Sequence, residues 1–218
     1  LQAKKKWTPK KVKSYLENLL WKVAFPLLPW YFNERHFESL YRKKVDPWQY
    51  TQSSFEREKY HKTLCAIPEE VHSILEVGCS EGVFTELLLK RGKYVVGIDI
   101  SQTALERAKV RLSPYSGQWE LRKLNIVTDE IEGHFNLILA SEILYYLGSH
   151  TVLRHLQEKF FRLLKEEGYL LLVHFYPSGQ IIHDSFTEGE KFFKVWEEVT
   201  YHPERDYLIT LLQKRETR

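Results

Sequence analysis

The segment Leu75-Glu76-Val77-Gly78-Cys79-Ser80-Glu81-Gly82 most constrains what this chain can fold into. It joins a short apolar run over 74–77 to a helical pattern over 82–90, with Gly92 past its end. A strand that ends in a Gly-rich turn and leads into a helix lets the backbone come close to a ligand. Seventeen residues beyond Gly82, Asp99 ends the next strand pattern, 94–98. A carboxylate there can accept hydrogen bonds from both hydroxyls of a ribose.

From residue 73 onward strands and helices alternate. Further strands are expected over 119–124, 135–140 and 169–174, with helices over 102–112, capped by Ser101, and over 152–165. The tail reads as a hairpin, 195–201 and 207–213 around a turn at 202–206. Alternation of this kind implies a mostly parallel sheet covered on both faces. Upstream, Ser53-Ser54-Phe55-Glu56 has the capping-box pattern and opens a helix to about residue 66. A first helix is expected after Thr8 and Pro9, with Val12, Leu16, Leu19, Leu20 and Val23 on one face. Two regions result, a basic, aromatic-rich helical extension over 1–45 and an α/β domain over 46–218.

A nicotinamide fingerprint wants G-x-G-x-x-G/A, whereas this loop has Ser80 and Val83 at the second and third positions. A phosphate-binding P-loop is excluded because no Gly-Lys-Ser/Thr follows. Glu76-x-Gly78-x-Ser80-x-Gly82, Asp99, and the strand over 135–140 followed by Ser141-Glu142 resemble the class I methyltransferases. Asp46-Pro47-Trp48-Gln49-Tyr50, Phe55-Glu56-Arg57-Glu58-Lys59-Tyr60 and Ser141-Glu142-Ile143-Leu144-Tyr145-Tyr146-Leu147 are similar to the nodulation-protein-S (NodS-like) branch. The resemblance covers roughly residues 45–175. It implies a Rossmann-like, seven-stranded, mostly parallel α/β sheet with an antiparallel terminal strand, and S-adenosyl-L-methionine as cofactor.

Carried over residue by residue, the resemblance places Gly78, Ser80 and Gly82 under the methionine and ribose, with Glu76 leading into that turn. It gives Asp99 the ribose, Ile100 a flank of the adenine, and Asn125 and Ile126 the adenine edge. Ser141 and Glu142 fall near the methionine end. Trp48 either closes over the cofactor or packs in the core. Glu142 is the candidate for orienting or deprotonating the acceptor, or else it holds the methionine ammonium or a backbone amide. Tyr145 and Tyr146 can line the sulfonium with their ring faces. His174, at the end of its strand, points toward the rim, where either a catalytic or a structural role is open. Residues 178–184, with His183 and Asp184, are expected as a loop over the substrate. Some branch members N-methylate a glucosamine end of a chitooligosaccharide. The reading is therefore a methyltransferase of a small molecule or glycan, with an amino sugar preferred. The alternatives are O-methylation of a natural product or glycan, and a non-catalytic cofactor-binding module that docks a membrane or partner enzyme.

No metal is expected, because the spacing of His150, His155, His174 and His183 fits no metal signature. Two cysteines in 218 residues cannot build a disulfide framework and point to a cytoplasmic setting. No apolar run is long enough to span a bilayer. The net charge of +3 hides an asymmetry: residues 1–44 carry a net +8 and the rest a net −5. The basic run, with Trp21, Trp30, Tyr31 and Phe32, leaves open a helical lid or peripheral contact with an anionic membrane surface. Nucleic acid is not expected as a partner.

Overall fold

The structure is a computed structural model that describes residues 33–147 and 149–216. The helix expected after Thr8, the basic run and Trp21, Trp30, Tyr31 and Phe32 lie outside the described residues. In chain order the elements are α1 (Glu34–Lys43), α2 (Ser54–Cys65), β1 (Ser73–Val77), α3 (Val83–Lys90), β2 (Tyr94–Asp99), α4 (Gln102–Leu112) and β3 (Trp119–Lys123). They continue with β4 (Phe135–Ser141), α5 (His150–Leu163), β5 (Leu164–Phe175), α6 (Ser178–Thr187), β6 (Phe192–Thr200) and β7 (Tyr207–Lys214).

The seven strands form one sheet in the order β3-β2-β1-β4-β5-β7-β6. Every pairing from β3 through β5 is parallel, and β7 runs antiparallel to both β5 and β6. This is the expected mostly parallel sheet with the tail hairpin added at one edge. Alternation along β1 divides the core. Leu75 and Val77 join Ile138, Leu156, Phe160 and Phe186 on one face, under α5 and α6. Ile74 joins Phe55, Leu64, Phe84 and Leu88 on the other, under α2 and α3. Chain order reverses at β1, which lies between β2 and β4, so a crevice opens beyond the carboxyl ends of these strands.

One element differs in kind from the sequence expectation. Residues 178–184 form the start of helix α6 rather than a loop. Gly179 hides that helix in the sequence, but the packing requires it: a Cβ there would stand 2.6 Å from Cβ of His174 on β5. His183 is thereby buried instead of exposed on a substrate loop. Helix α1 lies within the extension expected to be helical, although its bounds were not read from the sequence; Phe37, Leu40 and Tyr41 fall at helical spacing along it. Asn33 caps it by accepting from the His36 amide at 3.1 Å. Glu38 then docks it on the start of α4, accepting from the Ser101 hydroxyl (2.8 Å), the Thr103 amide (3.2 Å) and the Thr103 hydroxyl (2.6 Å). A carboxylate at a helix N-terminus is stabilised by unpaired amides and the helix dipole.

Candidate active site

The β1–α3 loop is built on positive backbone angles. Gly78 (φ 77°), Ser80 (φ 52°) and Gly82 (φ 73°) all lie in the left-handed region. The Gly78 and Cys79 amides both donate to the Ile98 carbonyl, at 2.8 and 3.0 Å, which ties the loop to β2. A side chain at Gly82 would crowd Ala108 of α4 at 3.1 Å, so this glycine permits close helix packing rather than ligand approach. Ser80 occupies a conformation that costs a non-glycine residue about 1 kcal/mol. Two contacts hold it there: its hydroxyl accepts from Tyr41 at 2.7 Å, and its amide donates to Asp99 Oδ2 at 2.9 Å. Trp48 Nε1 completes a chain by donating to the Tyr41 oxygen at 3.3 Å.

Asp99 is the centre of this arrangement. Its Oδ1 accepts from the Ser101 amide at 2.8 Å, so both carboxylate oxygens are anchored by backbone donors. Burial pushes its pKa up to about 6 against the pull of those amides. Asn125 and Ile126 follow β3 in a turn where Asn125 Oδ1 accepts from the Val127 amide at 3.0 Å. Lys159 of α5 clamps this turn by donating to the carbonyls of Ile126 and Asp129, both at 2.9 Å.

A cavity of about 960 Å³ lies over these loops. Of the residues assigned to the cofactor from sequence, Trp48, Gly78, Ser80, Asp99, Ile100, Asn125, Ile126 and Ser141 line it, as do Glu142 and Tyr145. Glu76, Gly82 and His174 do not. Glu76 faces α3, where it accepts from the Thr85 hydroxyl at 2.6 Å, and burial pushes its pKa up to about 8. The group therefore contributes stability fully below its unfolded value near 4.5, and that contribution is lost as pH rises through about 8. Glu76→Gln keeps a partner for Thr85 without the titration. Urea unfolding should find it about 2 kcal/mol or more stabler relative to the parent at pH ~8 than at pH ~5. An equal difference at both pH values would refute a protonated Glu76.

At the far wall stands a buried charge cluster. Lys59 of α2, its side chain only 2% exposed, reaches Glu142 Oε1 at 3.1 Å and Glu56 Oε2 at 2.9 Å. Burial alone would lower the Lys59 pKa, but the two carboxylates outweigh it and raise it, so Lys59 is a fixed cation. Glu142 itself sits at φ 55°, its amide donating to the Val173 carbonyl at 2.8 Å. The Tyr145 hydroxyl donates to Glu142 Oε2. Burial and that carboxylate push the Tyr145 pKa well up, so the phenol keeps its proton. Sequence reasoning quoted Glu56 in a capping box and both Glu56 and Lys59 in the family-like segment, and gave neither a role at the site. The signal was spacing: Phe55, Lys59 and Thr63 repeat every four residues on one buried stripe.

His174 is fully buried and turns away from the cavity. Its Nε2 accepts from the Leu144 amide at 3.2 Å, which fixes the proton on Nδ1, 2.9 Å from His183 Nε2. His183 Nδ1 then reaches the Thr210 hydroxyl at 2.6 Å, and Thr210 donates to Glu197 at 2.8 Å. Burial, with Lys59 nearby, pulls the His174 pKa down to about 3. A neutral ring with both nitrogens engaged holds the 142–147 turn in place and cannot exchange protons with a ligand.

Comparison with known proteins accords with this geometry. The nodulation protein S (NodS) family pattern matches residues 35–177. Nodulation protein S of Bradyrhizobium diazoefficiens is 33% identical over 122 residues, covering 51% of this chain and 56% of that protein. Nodulation protein S of Rhizobium tropici is 30% identical over 129 residues, covering 58% and 53%. The matched region thus spans little more than half the length of these relatives. The crystal structure of the N-methyltransferase NodS from Bradyrhizobium japonicum WM9, in complex with S-adenosyl-L-homocysteine, has a TM-score of 0.73 at 25% identity. It covers 82% of this chain and 97% of that one. Sequence pattern, relatives and fold agree, and the chain belongs to the nodulation protein S family.

Proposed function

We propose that this protein is a cytoplasmic methyltransferase that moves a methyl group from S-adenosylmethionine to the amino group of a small acceptor, an amino sugar or glycoconjugate. The observation that carries this reading is the cluster at the cavity wall, where two carboxylates, Glu142 and Glu56, share one ammonium, Lys59. Two carboxylates against one ammonium within this hydrogen-bonded group suit an amine better than a hydroxyl. The residues present also fit the cofactor. Asp99 and Ile100 line the cavity at the end of β2, where a ribose and an adenine need a carboxylate and an apolar flank. Gly78 lines the cavity from the left-handed region, and Ile143 packs 3.1 Å from where a side chain would begin.

S-adenosylmethionine, when bound, supplies a methyl on a positively charged sulfur, already activated toward displacement. The protein's part is alignment, which brings the acceptor nitrogen behind that methyl and keeps water out. Glu142 accepts a hydrogen bond from the amine N–H and so aims its lone pair. It also receives the nitrogen's proton or hands it to water. Tyr145 and Lys59 fix both oxygens of Glu142, so the carboxylate is aimed before the acceptor arrives. His174, neutral and turned away, takes no part in the proton transfer.

The test is to incubate the protein with S-adenosylmethionine and a panel of amino sugars and partly deacetylated chitooligosaccharides, then locate the added mass by fragmentation. A methyl on nitrogen is the expected result. A methyl on oxygen would replace this reading with a glycan O-methyltransferase. Tight S-adenosylhomocysteine binding with no transfer across the panel would replace it with a non-catalytic binding module.

A further inference from the structure

Arg205 stands in the turn between β6 and β7, beyond the residues that the family pattern matches. Its guanidinium lies 3.8 Å over the ring of Phe175 and lines the cavity. Among the described residues it has no hydrogen-bonding or ion-pair partner. The turn that carries it is pinned on several sides. The His202 amide donates to Asp206 Oδ1 at 3.0 Å, the Glu204 amide to His202 Nδ1 at 3.1 Å, and the Tyr176 amide to the Asp206 carbonyl at 3.0 Å. The His202 ring also packs on Phe55 of α2, 4.8 Å between centroids. The guanidinium thus lies close over an aromatic ring on a fixed turn, and its planar fork of donors suits a two-oxygen partner.

The other charges of the cavity wall give this donor set its meaning. Lys59 is already shared between Glu56 and Glu142, and also stands 5.7 Å from the Phe175 ring centre. Arg205 is close enough for its charge to act on Glu56. The wall therefore presents surplus carboxylate at the Glu142 end and, over Phe175, a cation that no hydrogen bond or ion pair among the described residues engages. Its complement is one molecule with an amine at one end and an oxyanion at the other. We propose that Arg205 is a subsite for an oxyanion, a carboxylate or phosphate ester, carried by the acceptor itself, which makes that acceptor an anionic amino compound. This rests on the amine reading above.

The experiment is calorimetry on the full chain loaded with S-adenosylhomocysteine, titrated at low salt with glucosamine, glucosamine 6-phosphate and muramic acid. The last two add a phosphate and a carboxylate, respectively, to the same amine. At least one anionic amine should bind about ten- to a hundredfold tighter than glucosamine, the yield of one charge-assisted contact. Which of the two gains more separates phosphate from carboxylate. Arg205→Met should bring the preferred amine down to the glucosamine level, and Arg205→Lys, a point charge without the fork, should keep part of the preference. Equal binding of all three amines, no binding of either anionic one, or a preference that survives Arg205→Met would overturn the subsite. The S-adenosylhomocysteine titration that precedes loading reads the cofactor assignment separately: its failure overturns that reading, and its success with equal amine binding overturns the subsite alone.

Discussion

Asp99→Ala is expected to weaken S-adenosylhomocysteine binding by at least about 100-fold. Two losses combine. The Ser80 and Ser101 amides, which now donate to the two carboxylate oxygens, would be left buried without a partner, at about 1–3 kcal/mol each. That cost falls on the order of the loop, because Ser80 is held in its left-handed conformation partly by this bond. The second loss falls on the ligand. Two ribose hydroxyls donating to a charged acceptor contribute about 1.5–3 kcal/mol each, and an Ala offers nothing in exchange. The same carboxylate predicts a pH dependence. With its pKa pushed up to about 6, Asp99 takes up a proton as pH falls through that value, and affinity should decline by up to ~tenfold per unit below it. Calorimetry between pH ~5 and ~8 measures both effects. An Asp99→Ala affinity within about threefold of the parent would remove the ribose role.

Asp99 was legible in the sequence because everything that defines it is local: a strand, a Gly-rich turn, a helix and an acid at a fixed spacing. The mostly parallel sheet followed from the alternation of strands and helices, and the antiparallel terminal strand from the family resemblance, whereas the order of the strands was not read from the sequence. What stayed hidden was assembled from distant parts of the chain. Lys59 meets Glu142 across 83 positions, and Glu38 meets Thr103 across 65. Local pattern also misled in places. Glu56 sits three residues after Ser53, as a capping box requires, and Ser53 does cap α2. The Glu56 carboxylate, however, turns to Lys59 instead. His174 looked like a rim residue because it ends a strand, yet its ring is sealed between Leu144 and His183. Gly179 and a mixed composition made α6 read as a loop, when the glycine is what lets that helix lie against β5.

Lys59→Met is the substitution expected to harm stability most. Met fills a similar volume, so the change isolates charge from packing. Without the ammonium, Glu56 and Glu142 would be left buried with only the more distant charge of Arg205 acting on Glu56, and breaking a buried pair in this way costs about 3–5 kcal/mol. The chain escapes part of that cost by protonating a carboxyl. Burial already pushes the Glu56 pKa up, with Glu142 adding to it, so Glu56 is the group that takes the proton. Stability of the variant should therefore recover as pH is lowered toward ~5, and by more than in the parent, where Lys59 holds the rise of the Glu56 pKa in check. Adding Glu56→Gln should return at least half of the lost stability at pH ~8, since it removes one of the two opposed charges. Thermal unfolding of the parent, the single variant and the double variant at both pH values measures this. If Lys59→Met unfolds within a degree or two of the parent, Lys59 is not the cation that holds these carboxylates together. A double variant no stabler than the single one would show that the loss came from packing, and Glu142 would then owe its position to the Tyr145 hydroxyl and the Val173 carbonyl alone.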